Sequence, residues 1–298
     1  MKGWTPVTGT GRAATAVAVL WLAGGLVWTG WPVWDSVGAP DASQVRAEAP
    51  WVLGAQVAGL GLLASAMWRG AGRRPDALAA VTALVAGDCV LRTLFNPGTA
   101  GVEVVHALPL LAGAGLGLAG GVLTGASAAL CSTMLASTPA ETLPSQCVAW
   151  AAVGALGAVL RAVPTVTAWL LAVPLAVGAG VLSGVLLNLI GWAQMSGSTT
   201  EHYVPGLPAG EVLTRLWSYT VETSLALDTV RGLTTAFLVA VLGLPVLRAL
   251  RGPTHRPTTY RPATDHALRA AVRRREDSSR IDALWAVTPT EQEKTCRS

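Results

Sequence analysis

The chain has 298 residues, of which 52% are hydrophobic and only 13% charged, with a formal net charge of +4. Soluble domains carry roughly 25% charged residues, so this composition, with a mean hydropathy of +0.49, excludes an ordinary soluble fold. A pI of 9.2 raises nucleic acid as a partner, but the basic residues gather at the ends of apolar stretches and in the tail, as membrane topology arranges them.

Eight apolar stretches occupy residues 13–31, 51–68, 77–95, 104–118, 120–136, 147–163, 167–192 and 221–248. Several approach the ~20 residues that cross a hydrocarbon core ~30 Å thick. The expected fold is therefore all-α, a polytopic membrane helix bundle of about eight transmembrane helices. The fourth and fifth stretches, around Gly120, are short and read either as two spans or as one broken, re-entrant unit. The first stretch is long for a secretory signal and lacks a small-x-small cleavage site.

An even number of spans puts both termini on one side. With a cytoplasmic N-terminus, the inner segments hold Lys2, Arg12, Arg69, Arg73, Arg74, Arg161 and the Arg-rich tail. The outer loops then hold Asp35, Asp41, Glu48, Glu103, Glu141, Glu201, Glu211 and Glu222 against Arg46 and Arg215. The positive-inside rule predicts a multi-pass protein of the cell membrane with both ends in the cytoplasm. Trp31, Trp34, Trp51, Trp192 and Trp217 fall near the outer boundary and Trp68 near the inner one, where interfacial aromatics collect.

The outer segment at about 193–220 is the longest connection and reads as a loop able to cover the bundle mouth. It carries His202, Tyr203 and Val204-Pro205-Gly206. After Arg251 the chain turns polar. Residues 264–276 read either as a short basic helix on anionic lipid or as a disordered tail.

Ionisable side chains inside a span are costly and face a partner or a cavity. Asp88 and Arg92 lie four apart on the third stretch, and Asp228 and Arg231 three apart on the eighth, so each pair shares one helix face. Each is either a neutralised clamp or part of a pocket. Gln146 and Trp150, Asn188 and Trp192, and Thr223 with Ser224 fall at comparable depth. Tryptophan faces with amides and hydroxyls suit a large, partly apolar ligand with polar edges.

Gly113, Gly117, Gly121 and Gly125 recur every four residues, a spacing that permits close helix packing. Ala79, Ala83 and Gly87 make a second small-residue stripe on the third stretch, and Ala14 with Ala18 another on the first. There is no phosphate-binding loop, H-E-x-x-H or G-x-S-x-G motif. Cys89, Cys131, Cys147 and Cys296 have no paired or metal-like spacing, and His106, His202 and His255 read as ordinary solvated histidines. Neither an enzyme nor a resident cofactor or metal is expected.

Several motifs together resemble a known family. They are Leu108-Pro109-Leu110-Leu111-Ala112-Gly113 with Gly117 and Gly121, Gly125-Ala126-Ser127-Ala128, Leu143-Pro144-Ser145-Gln146, and Ala149-Trp150-x-x-x-Gly154. Asn188-Leu189, Trp192, Val204-Pro205-Gly206, Thr223-Ser224-Leu225-x-x-Asp228-x-x-Arg231 and Gly243-x-Pro245-x-Leu247-Arg248 continue the run. The chain resembles the substrate-specific (S) components of energy-coupling factor (ECF) transporters, in their actinobacterial cobalamin-type branch. The likeness covers residues 77–250 well and 1–76 more loosely, through Ala49-Pro50. The family's usual Gly-Pro-Trp-x-Pro-x-Gln loop is altered, since Thr138–Gln146 keeps the Pro and Gln without the Gly and Trp.

The resemblance implies a six-helix core at 77–250, a two-helix accessory at 1–76 and a cytoplasmic tail at 251–298. It implies a vitamin-like ligand, best matched to a corrinoid, held by Asp88, Arg92, Gln146, Trp150, Asn188, Trp192, Thr223, Asp228 and Arg231. It implies as partners a transmembrane coupling protein, met by Ala79 and Ala83, and two cytoplasmic ATPases. A self-sufficient ion-coupled permease working through Asp88 or Asp228 is the alternative, against which the neighbouring arginines argue.

Overall fold

A computed structural model describes residues 11–34, 42–73, 75–94, 104–136, 142–193 and 202–251, together with Arg274. The basic stretch at 264–276, apart from Arg274, and the altered loop at 138–141 lie outside the described residues, as do Asp35, Asp41, Glu103, Glu141 and Glu201. Contacts divide the chain into two compact units, 1–252 and 253–298.

All regular structure among the described residues is helical. In chain order the helices are α1 (Arg12–Thr29), α2 (Trp31–Trp34), α3 (Ala42–Gly70), α4 (Asp76–Leu94), α5 (Ala107–Leu116), α6 (Leu118–Ala136) and α7 (Leu143–Gly157). A 3-10 turn at Ala158–Leu160 leads to α8 (Thr165–Ala193), α9 (Ala209–Thr223) and α10 (Leu225–Arg251). Among the described residues, six segments are long and apolar enough to cross a membrane: Arg12–Thr29, Ala47–Gly70, Asp76–Leu94, Leu143–Leu160, Thr165–Ala193 and Leu225–Arg251. The other two expected spans form the shorter apolar helices Ala107–Leu116 and Leu118–Thr133. Pro50, Pro174 and Pro245 sit inside long helices, as packed membrane helices tolerate.

The break in the middle of the chain falls at Gly117, not Gly120. Gly117 has φ +85°, a conformation that side chains with a Cβ rarely adopt, and it folds α5 back against α6. Ten residues make α5 about 15 Å long, half of a ~30 Å core. Nine of the ten are buried, so this half-length helix is enclosed by protein.

Its last carbonyls lack intrahelical donors. Arg251 fills that need, donating from Nε and Nη2 to Ala114 (2.9 and 2.6 Å), from Nη1 to Val163 (2.5 Å) and from Nη2 to Leu160 (2.5 Å). Arg161 donates to the Gly115 carbonyl. Two cations at a helix C-terminus also oppose its negative dipole end. They tie α5 to one end of the bundle, leaving His106, at its start, about 15 Å away along the axis.

Glycine explains the tightest packing. A Cβ at Gly113 or Gly121 would strike the Gly154 carbonyl oxygen, and one at Gly125 the Trp150 carbonyl. The glycine stripe thus packs α5 and α6 onto α7, inside the molecule. Around that centre lie two apolar clusters. One joins α1, α3, α4, α6 and α7 through Ala18, Leu63, Val122, Ala126 and Cys147. The other joins α5, α8 and α10 through Leu111, Ala172, Ala176 and Val239.

Two expectations about the segment before the last span need correction. Residues 209–223 are a helix, not loop, because Val212, Leu216, Tyr219 and Thr220 recur at helical spacing and pack on the bundle. The last long helix accordingly begins at Leu225 instead of residue 221, with Ser224 as the joint.

Candidate functional site

Beside the α5 start, polar side chains from several helices converge on Trp150. Arg92, in the last turn of α4, donates to Ser132 Oγ at 2.7 Å and Thr133 Oγ1 at 3.3 Å on α6. Its guanidinium lies 5.3 Å from the centre of the Trp150 ring, a cation–π contact. Thr133 in turn donates to Gln146 Oε1 at 3.3 Å. Arg92 of α4 and the pair Gln146 and Trp150 of α7 therefore form one constellation with Ser132 and Thr133.

His106 meets the same indole edge-on, with ring centres 5.8 Å apart. It is 1% exposed, so the expectation of a solvated loop histidine is overturned. The reason is that Val104–Leu111 already lies inside the bundle, although the sequence around it carries no helix signal before Ala107. Neither ring nitrogen has a hydrogen-bond partner among the described residues. The Trp150 indole of α7 is thus met by Arg92 from α4 and by His106 from the start of α5.

The second polar group lies where α8, α9 and α10 meet. Asp228 pairs with Arg231 and accepts a hydrogen bond from Ser224 Oγ at 2.9 Å. Asn188 Nδ2 donates to Ser224 Oγ at 2.6 Å and Thr220 Oγ1 at 3.2 Å. Gly184 makes room, because a Cβ there would strike the Asp228 carboxylate. The close approach of Gly180 to Gly232 brings the two helices together at this level.

Asp88 departs from the sequence expectation. It shares a helix face with Arg92, but the two form no ion pair. The arginine extends to α6 and Trp150, leaving both carboxylate oxygens of Asp88 buried, with no hydrogen-bond partner among the described residues. Thr124 Oγ1 of α6 is buried and without a partner in the same way.

The remaining expected residues divide. Thr223 is exposed, and its hydroxyl returns to the Tyr219 carbonyl at 2.6 Å, so it does not join the site. Trp192 is buried in an aromatic cluster at the opposite end from Arg251, 5.3 Å from Tyr203, which also meets Trp31 at 5.7 Å. Trp31 and Trp192 are thus core residues, whereas Trp34, Trp51, Trp68 and Trp217 are exposed, as interfacial tryptophans are. Among the small-residue positions, Ala79 and Ala83 are exposed on α4, while Gly87 turns inward towards Leu108.

His106, Ser132 and Thr133 were not among the residues expected at the site. The signal for His106 was its place one residue before an uninterrupted apolar run; the two α6 hydroxyls carried no signal beyond their spacing. No group of three or more metal-binding side chains occurs among the described residues. No family model matches this chain, and neither does any curated protein or solved structure.

Proposed function

We propose that the chain is the substrate-binding membrane subunit of an ECF-type importer. In this reading it captures a vitamin-like micronutrient, a corrinoid by best match, from outside the cell membrane and passes it to a coupling protein driven by two ATPases. The observation that carries the reading is the convergence of Arg92 from α4, His106 from the start of α5, and Gln146 and Trp150 from α7 inside an apolar bundle. A buried aromatic flanked by amide, imidazole and guanidinium groups offers a flat apolar surface with polar edges. Asn188, Asp228 and Ser224 hold Arg231 in position. The exposed Ala79 and Ala83 leave a face of α4 onto which another helix can pack closely. Arginines at one end and aromatics at the other fit cytoplasmic termini.

The test is a pair of measurements. Purified protein without ATP should bind cyanocobalamin, and native mass spectrometry should detect a co-purifying small molecule. Vesicles should accumulate the ligand only when the coupling protein and ATPases are present. Accumulation by this chain alone would refute the mechanism.

One observation favours a second reading, an ion-coupled permease: Asp88 has no hydrogen bond from the arginine that was expected to neutralise it. Uptake that collapses on adding a protonophore, with ATP maintained, would support this reading over the first.

A further inference from the structure

Helix α9 presents three faces, and each has a different chemistry. At 100° per residue, Val212, Leu216, Tyr219 and Thr220 fall on one arc, and this arc packs on the bundle. Val212, Leu216 and Thr220 are 1%, 4% and 0% exposed. The next arc carries Leu213, Trp217 and Val221, which are 50%, 55% and 45% exposed. The third carries Glu211, Thr214, Arg215, Ser218 and Glu222, with Arg215 and Glu211 paired at 3.2 Å.

An amphipathic helix between two phases needs two faces. A third face is required when protein, hydrocarbon and water all border it. The position of α9 supplies those borders, since it connects α8 to α10, two helices long and apolar enough to cross a membrane. At 15 residues it is too short to cross a ~30 Å core itself. The apolar arc also runs towards exposed apolar surface: α10 begins four residues after Val221 and carries exposed Leu227, Leu233 and Phe237. Trp217 at the centre of the stripe is the residue type enriched at the headgroup level.

We infer that α9 is an interfacial helix, lying on the bilayer beside the bundle with Leu213, Trp217 and Val221 in lipid and Glu211, Thr214, Arg215, Ser218 and Glu222 towards water. The occupant of the exposed apolar arc is therefore the headgroup–acyl boundary of the membrane.

The test places nitroxide labels singly at 213, 217 and 221, and at 214, 218 and 222, in a variant whose native Cys89, Cys131, Cys147 and Cys296 are replaced by alanine, reconstituted in phosphatidylcholine–phosphatidylglycerol bilayers. The expected result is an oxygen-to-nickel-chelate collision ratio several-fold higher at the first three positions than at the second three. Equal ratios would put the stripe in water and overturn the inference. Low collision with both reagents at 213, 217 and 221 would mean that a protein surface covers them, and would overturn it equally. A second measurement needs no cysteine replacement. The tryptophan emission lost in Trp217→Phe should be quenched in the native chain by lipids brominated near the headgroup end of the acyl chain. If that component is quenched by aqueous iodide instead, the inference fails.

Discussion

Asp88 and Asp228 have the same local pattern, an aspartate inside a long apolar helix with an arginine one turn later, yet their surroundings are opposite. Asp228 is held by Arg231, by the Ser224 hydroxyl and by the space that Gly184 leaves, and Asn188 fixes the serine in turn. Asp88 is just as buried and has no hydrogen bond among the described residues, because Arg92 points to Ser132, Thr133 and Trp150. The contrast teaches that spacing along a helix permits a pair without selecting it. Here two hydroxyls on α6 and the aromatic face of Trp150 on α7 take up the arginine instead.

The contrast can be broken most strongly at Asp228. Asp228→Asn leaves Arg231 in the bundle without its counter-charge, and stability should fall by about 3–5 kcal/mol. The fall would be read as a lowered melting temperature in detergent. Asp228→Leu combined with Arg231→Leu should recover most of that loss, since replacing a buried ion pair with apolar side chains is often close to neutral. If the double variant is as unstable as the single one, the pair does more than neutralise itself.

The packing at the centre should respond next. Gly121→Ala forces a Cβ onto the Gly154 carbonyl, with the Gly113 Cα also only 2.8 Å from it, so neither neighbour can yield by rotating a side chain. Overpacking of this kind costs typically about 1–3 kcal/mol. Gly54→Ala is the control, because a Cβ there meets nothing within 4 Å. It should be neutral or stabilising by up to ~1 kcal/mol through helix propensity. Equal losses for the two would refute the close-contact argument.

A smaller effect is expected one step out from Asp228. Asn188→Ala removes the donor to Thr220 and Ser224 and should cost about 0.6–1.7 kcal/mol, the range for hydrogen bonds between membrane helices. The smallest effect belongs to the other aspartate. Asp88→Asn should leave the melting temperature unchanged or raise it, since no partner is lost. A drop comparable to that of Asp228→Asn would erase the difference between the two regions. The same variant bears on the permease reading, which requires it to abolish ion-coupled uptake without unfolding the protein.

Much of the bundle was legible in the sequence because lipid imposes a simple rule. Backbone polar groups must be satisfied within the segment, so long apolar stretches become helices. The boundaries were less legible at Gly117, where a single positive φ sets the turn. They also missed α9, whose polar face made it look like a loop. Within the site, Arg92, Gln146 and Trp150 were found by residue type and depth. His106 was passed over because its setting comes from Trp150, 44 positions further on.

The sequence by itself determined the solvent, the helical class, the helix faces on which Asp88, Arg92, Asp228 and Arg231 stand, and the charge asymmetry that predicts both ends inside. These follow from composition and from periods of a few residues. The tertiary structure alone decided which aspartate is paired, which tryptophans are core and which exposed, and that α9 has a third face. Each of those depends on a side chain or backbone that approaches from a helix distant in the chain. Local spacing sets where a group points, but only packing supplies what it meets.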